Sequence, residues 1–439
     1  MSSEESRRVL VIGAGATGLL IAQGLKKAGI PVQVFEKQSC EKYQDRAGLW
    51  GMALHWATHN IDECLPADLA ANLKDAQTDP YADIPQEASK TIPMYNGKTG
   101  DLVTHVAADG PRRVHRGRLR NFLRTGLDVR FGREMQSFSV EISVENGVVT
   151  ATFNNEGEGL FLIGADGPRS NVRDAALPEN ATDLTPAPVV VFNFGATFTA
   201  DQASYLRSQI HPVATLGPHP GQKTYYFLTM GDVKNPNDPA SWVFQVSLSY
   251  WPDDAEEQPR TQEERMALFK KLGSNYCEPF KSVAEWVKPD THLPIDHFGS
   301  WTKIQRWNNF GGRVLIAGDA AHPMVPYRAQ GLNNALEDAG SCVRTLINVI
   351  NEEQDVVDAV ASYDKDVYGR GKSEISLSNA QMYACHHWDV LMESKLISGA
   401  NGHELHGFGE EIAALGNCFF CWDCRGSLGA YGIFVPAAT

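Results

Sequence analysis

The chain has 439 residues, of which 43% are hydrophobic and 21% charged, a composition typical of a globular protein and not of a disordered one. Lys and Arg number 39 against 53 Asp and Glu, and the formal net charge of −14 makes nucleic acid an unexpected partner. No run approaches the ~18 consecutive apolar residues of a membrane span, and the polar start (residues 1–8) lacks the apolar part of a signal peptide, so we expect a cytoplasmic protein.

The first predicted elements form a nucleotide-binding pattern. An apolar strand, Val9–Ile12, runs into Gly13-Ala14-Gly15-Ala16-Thr17-Gly18, and the apolar spacing that follows predicts a helix. A second strand, Val32–Phe35, ends at Glu36. Strand, glycine turn, helix, strand and acid together are the dinucleotide-binding fingerprint with its full context.

Each conspicuous residue of this pattern has a physical reason. Gly13 permits a tight turn, Gly15 lets a pyrophosphate approach the backbone at the helix N-terminus, and Gly18 lets the helix pack closely on the strand. Glu36 lies 18 residues after Gly18, where a carboxylate accepts a hydrogen bond from a ribose hydroxyl. The acid favours an unphosphorylated adenosine ribose, which means FAD or NAD rather than NADP.

Two segments of the first third carry residues that suggest a site. The loop over residues 45–56 contains Gly48 and His55 and leads towards a helix; a lone histidine is either structural or a catalytic base. A basic stretch follows, which is either a solvated helix face or a site that neutralises phosphates, and we favour the second in so acidic a chain. Its arginines are Arg112, Arg113, Arg116, Arg118, Arg120 and Arg124.

Two later strands are each followed by a glycine-containing turn. Residues 161–164 precede Ala165-Asp166-Gly167, and the apolar segment 313–317 precedes Gly318-Asp319. A helix is predicted to begin after Gly331, and its N-terminus offers free backbone amides to an anion or a polarised carbonyl.

The segment between these strands predicts a sheet. Residues 189–294 contain aromatic-rich runs separated by polar turns, which is typical of an antiparallel sheet with one face in the core and one lining a pocket. Tyr225, Phe227 and Phe244 are candidates for the pocket, with ordinary sheet packing as the alternative. From about residue 348 the chain is predicted to be helical.

The cysteines near the end suggest a metal only weakly. Cys418, Cys421 and Cys424 form an incomplete set of zinc ligands, and the apolar residues between them favour a packed segment. We expect no metal.

Taken in this order, the motifs resemble the flavoprotein aromatic monooxygenases of the para-hydroxybenzoate hydroxylase type, and in particular their fungal salicylate hydroxylase-like members. The resemblance extends from about residue 9 to about residue 346. It implies an α/β fold in which a Rossmann-like FAD-binding domain of the glutathione-reductase type is interleaved with an antiparallel-sheet substrate domain and followed by a C-terminal helical region. The implied FAD-binding domain comprises 1–75, 100–188 and 295–345, the substrate domain 76–99 and 189–294, and the helical region 346–439.

The resemblance also implies which residues bind FAD. The first motif and Glu36 hold its ADP half, Asp319 lies at the ribityl–pyrophosphate region, and Arg116 reaches the cofactor from the segment that resembles the family's Arg-x-x-Leu-x-x-x-Leu helix. The full set is Gly13, Gly15, Ala16, Thr17, Gly18, Glu36, Lys37, Gly48, Arg116, Met135, Asp166, Gly167, Asp319, Pro326, Gly331 and Leu332. One residue departs from the family pattern, because Ala329 stands where these proteins usually have glycine.

The implied chemistry is oxygenation. NAD(P)H, a transient cosubstrate, reduces FAD; O2 then forms a flavin C4a-hydroperoxide, which hydroxylates or epoxidises an aromatic or polycyclic small molecule, and His55 is the candidate base. Secondary metabolism is the expected setting. The alternatives are an FAD-dependent oxidase or dehydrogenase on the same fold and a non-catalytic flavin-binding regulatory protein.

Overall fold

The computed structural model describes residues 8–45, 50–108, 110–142, 149–151, 159–178, 181–253 and 258–398. The strands are β1 Val9–Ile12, β2 Val32–Glu36, β3 Gly51–Leu54, β4 Thr91–Tyr95, β5 Leu102–Ala107, β6 Arg112–His115, β7 Val129–Phe131, β8 Val140–Ile142, β9 Val149–Ala151, β10 Phe161–Gly164, β11 Thr185–Pro186, β12 Val190–Ala196, β13 Thr215–Pro218, β14 Thr224–Asp232, β15 Val243–Tyr250, β16 Ile295–Asp296, β17 Gly299–Ser300 and β18 Val314–Ile316. The helices are α1 Ala16–Lys27, α2 Cys40–Asp45, α3 Thr58–Cys64, α4 Ala67–Ala70, α5 Arg116–Leu123, α6 Asn171–Ala176, α7 Ala200–Gln209, α8 Gln262–Gly273, α9 Phe280–Trp286, α10 Gly331–Ile350, α11 Val356–His386, α12 Trp388–Glu393 and α13 Lys395–Ser398.

A five-stranded parallel sheet forms the first layer, in the order β18-β10-β1-β2-β7. Its strands come from three distant parts of the chain, and β1 lies in the middle between β2 and β10. All residues of β1, β10 and β18 are buried, as expected for a parallel sheet that is covered on both faces. The α/β fold with a Rossmann-like sheet is confirmed.

The loops that follow three of these strands continue the hydrogen-bond ladder. The Gly13 amide donates to the Phe35 carbonyl (2.7 Å), and the Ala165 amide donates to the Ile12 carbonyl (2.8 Å). On the other side of β10, the Ala317 amide donates to the Gly164 carbonyl (2.9 Å). The loops after β1, β10 and β18 therefore lie at one edge of the sheet, the carboxyl edge, where ligands bind in open α/β sheets.

A second sheet has seven strands in the order β16-β12-β15-β14-β13-β4-β5. Its pairings are antiparallel except between β13 and β4, which meet in parallel at Leu216 and Met94. The predicted antiparallel sheet is thus confirmed in the main. It also takes up β5, which extends to Ala107 and so passes residue 99, where the sequence placed the end of this segment.

The two faces of the second sheet have different partners. On β14, Tyr226 and Leu228 pack with α7, α8 and α9 in one apolar core, and we call this the helix-packed face. Their alternating neighbours Tyr225 and Phe227 contact Met94, Tyr327 and residues of α11 and α12 on the opposite face, which we call the inner face.

The inner face is joined to the first layer by a two-stranded connection. β3 and β6 pair in antiparallel fashion, with Ala53 opposite Arg113. The sequence predicted only a loop before the helix here, because four residues are too few to show periodicity.

Long helices complete the first layer. α10 packs on α1 and α11 follows it, in agreement with the helical prediction for the last part of the chain. None of the helices in the described ranges is long and apolar enough to cross a membrane.

Two helical glycines provide a test of this packing. A Cβ on Gly340, inside α10, would lie 1.9 Å from Oδ1 of Asn60 in α3, whereas a Cβ on Gly369, inside α11, would meet no atom within 4 Å. We expect Gly340→Ala to lower the free energy of unfolding by about 1–3 kcal/mol through overpacking. Gly369→Ala, the matched control, should raise it by about 1 kcal/mol through helix propensity. Denaturant unfolding of both variants checks this, and the same sign of change in both would contradict the helix arrangement.

Candidate functional site

The glycine loop after β1 has the geometry that its sequence predicts. Gly13 has φ +106°, and a Cβ there would lie 2.3 Å from the Ala165 carbonyl oxygen. A Cβ on Gly18 would lie 2.1 Å from the Gly13 carbonyl oxygen, so the helix could not pack on the strand with any other residue. Gly15 has no atom within 4 Å of its would-be Cβ, and the backbone there is open to a ligand.

The N-terminus of α1 is prepared for an anion. Among the described residues, no side chain caps it at Gly15, and its first turn, which includes the half-buried Ala16, contains no acid. The buried Thr17 side chain lies against Gly318, since a Cβ on Gly318 would come within 2.5 Å of Oγ1 of Thr17. The loop after β18 therefore touches the start of α1, and the uncapped amides face this junction.

Glu36 is buried at the end of β2 and oriented by two backbone amides. Its Oε2 accepts from the Ala14 amide and its Oε1 from the Gln38 amide, both at 3.0 Å. Both partners are backbone groups of the loops at this edge, so the carboxylate is fixed beside the glycine loop. Lys37 next to it is exposed.

Tyr43 holds the glycine loop through a hydrogen bond to its backbone, a role that the sequence did not reveal. Its buried hydroxyl donates to the Ala14 carbonyl (2.7 Å), and the Arg120 guanidinium stacks on its ring at 3.9 Å. Burial raises the pKa of Tyr43 to about 12, since it outweighs the charge of Arg120, which lowers the pKa. The charge of Glu36 adds to the rise, so the phenol stays a donor. No local motif marks such a residue, because both contacts are long-range.

Asp166 lies on the loop after β10 with one oxygen unpaired. Its Oδ2 accepts from the Asn171 amide (2.8 Å), while Oδ1 is buried without a hydrogen-bond partner, and burial raises the pKa of this carboxyl. Gly167 beside it has φ +90° and open space around it. The Asn171 side chain donates to the carbonyl of the buried Met135. Asp166, Gly167 and Met135 are therefore brought together.

Asp319 follows β18 and faces a basic neighbour. Asp319 is exposed at the edge of the sheet. The pKa of its carboxyl is nevertheless raised, because desolvation by the surrounding protein outweighs the charges of His322 and Arg116, which lower it. Arg116 is the first residue of α5, and its amide donates to the Trp50 carbonyl (2.9 Å). The structure therefore places Arg116 within electrostatic reach of Asp319.

A buried carboxylate holds this loop in place. Asp338 of α10 accepts from the Gly318 amide (2.7 Å) and from Nε2 of His322 (2.6 Å) through one oxygen, and from Arg370 of α11 (2.8 Å) through the other. The side chains of Asp338 and His322 are fully buried. Burial alone raises the pKa of Asp338, but His322 and Arg370 more than offset it, so the pKa is lowered.

The loop before α10 brings several predicted residues to one place. Pro326 is exposed at the start of a short 3₁₀ turn, and Gly331 and Leu332 begin α10, whose N-terminus no described side chain caps. Asn333 accepts from the His55 amide (2.9 Å), so His55 lies at the start of this helix. His55 and the residues expected to border the flavin ring are therefore neighbours.

The arginine-rich stretch is not the single phosphate-facing cluster that we favoured from the sequence. Arg118 forms an ion pair with Asp232, and Arg120 binds Tyr43. Arg113 points to the second sheet, where it donates to Gln245. Alternation along β6 and helical periodicity along α5 send neighbouring arginines to different partners, which leaves Arg116 as the member beside Asp319.

The three pocket candidates do not lie together. Tyr225 and Phe227 are on the inner face of the second sheet. Phe244 is wrong as a pocket residue: it pairs with Met230 across the strands, is fully buried on the helix-packed face, and makes an edge-on contact with Phe198. Register decides this, because residues directly opposite in an antiparallel pair point to the same face.

Gly48 and the three cysteines Cys418, Cys421 and Cys424 lie outside the described residues. Within the described part of the chain, no group of three or more His, Cys, Asp or Glu side chains could hold a metal ion.

Comparison with known proteins identifies the family to which this chain belongs. The family described as "FAD binding domain" matches residues 6–51 and 118–372. The FAD-dependent monooxygenase phnB of Penicillium herquei is 32% identical over 390 residues, which is 88% of this chain and 93% of that protein. The chain belongs to the family of FAD-dependent monooxygenases. The FAD-dependent monooxygenase cctM of Talaromyces islandicus is likewise 32% identical, over 89% of this chain and 96% of its own.

Solved structures at lower sequence identity have the same fold. Pseudomonas aeruginosa PqsL in complex with 2-aminobenzoylacetate matches with a TM-score of 0.67 at 16% identity, covering 90% of this chain and 99% of that one. A salicylate hydroxylase substrate complex matches with a TM-score of 0.62 at 19% identity, covering 94% and 93%.

The carboxyl edge of this monooxygenase family member fits FAD. The uncapped α1 amides and the open backbone at Gly15 suit a pyrophosphate, and Glu36 is placed for a ribose. The unpaired Oδ1 of Asp166 is a buried acceptor that a ligand donor would satisfy. Gly331 has no atom within 4 Å of its would-be Cβ, which leaves room for a flat ring system.

The loop beside that ring position holds a strained residue. Ala329 has φ +54°, a left-handed conformation that costs a residue with a Cβ about 1 kcal/mol and glycine almost nothing. We expect Ala329→Gly to raise the free energy of unfolding of the cofactor-free protein by up to about 1 kcal/mol. Ala359→Gly, inside α11, should lower it by about 1 kcal/mol. A loss of stability in both, measured by denaturant unfolding, would show that the loop is unstrained.

The His322–Asp338 pair predicts a pH dependence of stability. Burial lowers the pKa of His322, but Asp338 more than offsets it and the net pKa is raised. The contribution of His322 is therefore complete below pH ~6.5 and is lost as pH rises through the raised value, while that of Asp338 is lost as pH falls below ~4. We expect His322→Gln to cost about 3 kcal/mol near pH 6 and less at alkaline pH.

Unfolding by urea over a pH series checks this prediction. His59→Gln is the control, because His59 is an exposed partner of Glu337. A cost of His322→Gln that grows with rising pH would contradict a raised pKa.

Proposed function

We propose that the chain uses FAD, NAD(P)H and O2 to hydroxylate or epoxidise an aromatic or polycyclic small molecule of secondary metabolism. One observation carries the proposal: the loop after β18 lies against the starts of α1 and α10, and Asn333 of α10 links this edge to β3 and thereby to the inner face of the second sheet. A cofactor edge and an aromatic face are thus adjacent. The names of the fungal relatives and of the salicylate hydroxylase support oxygenation of such a substrate.

The residues proposed to hold FAD follow from their positions. The amides at Gly15 and the start of α1 bind the pyrophosphate, Glu36 binds a ribose, and Asp319 with Arg116 lies beside the central part. Pro326, Gly331 and Leu332 border the ring. When bound, FAD accepts a hydride from NAD(P)H and activates O2, which is redox chemistry that amino-acid side chains lack.

The chain itself positions the substrate and keeps out water. Tyr225 and Phe227 form an aromatic wall on the inner face, in the same apolar cluster as the fully buried Leu391 of α12. Such a wall binds a flat apolar molecule and excludes water from the reaction. His55, whose backbone is fixed by Asn333, is the proposed acceptor of a proton from a substrate hydroxyl at the start of α10.

Two measurements test the function. The purified full-length chain should show flavin absorbance, and Asp319→Ala should reduce its FAD content severalfold while Asp62→Ala, the loss of an exposed acid on α3, does not. With isotopically labelled O2, NAD(P)H and a set of phenols and polyketide-like aromatics, the product should gain one labelled oxygen atom.

Other outcomes would contradict the proposal in distinct ways. Label that appears only in hydrogen peroxide, with an oxidised product, identifies an oxidase. Bound flavin with no compound that stimulates NAD(P)H oxidation favours a regulatory protein. Absence of flavin, with Asp319→Ala unchanged, removes the FAD assignment itself.

A further inference from the structure

Arg113 is a buried cation at the junction of the two layers. Its side chain is only 7% exposed. The guanidinium stacks over the Phe227 ring, 4.8 Å from the ring centroid. On its other side lies the backbone of Gly51, where a Cβ would come within 2.6 Å of Nε of Arg113. The guanidinium is therefore held between an aromatic ring of the inner face and the first residue of β3.

The protein gives this guanidinium only neutral partners. Nη2 donates to Oε1 of Gln245 (2.7 Å), an oxygen that also accepts from the Gly51 amide (3.0 Å), and Nε is buried without a partner. Within the described ranges, no carboxylate pairs with Arg113. Burial accordingly lowers its pKa to about 9, which still leaves it charged at neutral pH. A buried charge without a counter-ion is costly, and an anionic ligand would offset that cost.

Two half-buried arginines of the chain have carboxylate partners. Arg118 pairs with Asp232, and Arg370 pairs with Asp338. Burial lowers the pKa of Arg173, and the charges of nearby acids, Asp174 first among them, partly offset that effect. Since 53 acids stand against 39 basic residues, a shortage of acids does not explain why Arg113 has none.

The polar side chains next to Arg113 on the second sheet are hydrogen-bonded to one another. Nε2 of Gln245 donates to Oδ1 of Asn193 (3.0 Å), and Nδ2 of Asn193 donates to Oδ2 of Asp296 (3.0 Å). These bonds fix the orientation of both side-chain amides. The Gln245 oxygen points to Arg113, and the Asn193 oxygen points to Gln245. Asp296 is separated from Arg113 by the side chains of Gln245 and Asn193, so its carboxylate does not neutralise the guanidinium directly.

The position of Arg113 relates it to the reacting end of the proposed site. Ala53 is its cross-strand partner, and the Ala53 carbonyl accepts from Nδ2 of Asn333 (3.2 Å), two residues after Gly331. Arg113 is thus one strand away from the loop proposed to border the flavin ring.

We propose that Arg113 binds the oxyanion of an ionised phenol or enol of the aromatic substrate and so selects hydroxylated substrates over their O-alkylated counterparts. The inference rests on the proposed function, because it assumes that the aromatic substrate lies next to Arg113 and Phe227 at the flavin edge. The charge–oxyanion contact favours the ionised phenol, whose ring is richer in electrons and hence more reactive towards an electrophilic oxygen. The site thereby prepares the substrate without a covalent step.

Binding to the oxidised, FAD-loaded full chain, without NAD(P)H, tests this role. The probes are 4-nitrophenol and 4-nitro-1-naphthol, whose ionised forms have their own absorbance bands, and the methyl ethers of both. The wild-type protein should lower the apparent pKa of the bound phenols. Arg113→Met should abolish that lowering and weaken phenol binding ~10- to 100-fold, while the ethers bind equally well to both proteins.

Two further variants make the result specific. Arg112→Met is the matched control, because Arg112 precedes Arg113 on β6 and alternation turns its side chain to the other side of the strand. Arg113→Lys keeps the charge and should restore part of the phenol affinity.

The proposal is overturned if Arg113→Met binds the phenols as the wild type does, or if it loses FAD, which would assign Arg113 to the cofactor. If Arg113→Met yields no folded flavoprotein, the wild-type titration decides, and failure of the wild type to bind either phenol or to lower its pKa overturns the role. Labelled oxygen in product tests the monooxygenase function separately, so the two ideas fail independently.

Discussion

The carboxylate of Asp338 connects the elements on which the proposed site depends. It binds the Gly318 amide at the end of β18, the imidazole of His322 in the following loop, and Arg370 on α11. Gly318 in turn lies against Thr17 at the start of α1. One buried acid thus fixes the loop that presents Asp319 relative to the helix whose amides are proposed to bind the pyrophosphate. Such an acid is tolerable in the interior because both its oxygens are satisfied and two basic groups face it.

The carboxyl edge gains its character from the convergence of segments that are far apart in the chain. β1, β10 and β18 are adjacent and parallel, so their following loops extend in one direction from the sheet. Each loop contributes a backbone that glycine leaves accessible, at Gly15, Gly167 and Gly331 among others. Ala329 is the exception, since it adopts a left-handed conformation with a Cβ in place.

The second sheet divides its residues between structure and site by alternation. Tyr226, Leu228 and Phe244 build a core with α7, α8 and α9, while Tyr225, Phe227 and Gln245 face the first layer. β3 and β6 then bring Arg113 against the inner face. The edge proposed for the cofactor is built largely from backbone, and the face proposed for the substrate largely from side chains.

The sequence alone determined the backbone geometry of the loops that are proposed to bind FAD. The glycine turn after Val9–Ile12, Glu36 and the Gly318-Asp319 segment all depend on local backbone requirements, which are visible in the residue types and their spacing. The resemblance added the order of the motifs, from which the interleaved fold followed. The roles of Tyr43 and Asp338 were missed, since their nearest partners in the chain are 29 and 16 residues away and no local pattern records them.

Only the tertiary structure decided what each arginine and each aromatic residue of the substrate side does. Strand register put Phe244 in a core and Phe227 at the junction, although both are strand aromatics with the same local signature. The arginine run of residues 112–124 looked like one basic patch, yet its members turned to an acid, an aromatic ring or an amide on distant elements. Hydrogen bonding and charge pairing act through space, so the partner that gives a side chain its function is set by the fold and not by its neighbours in the chain.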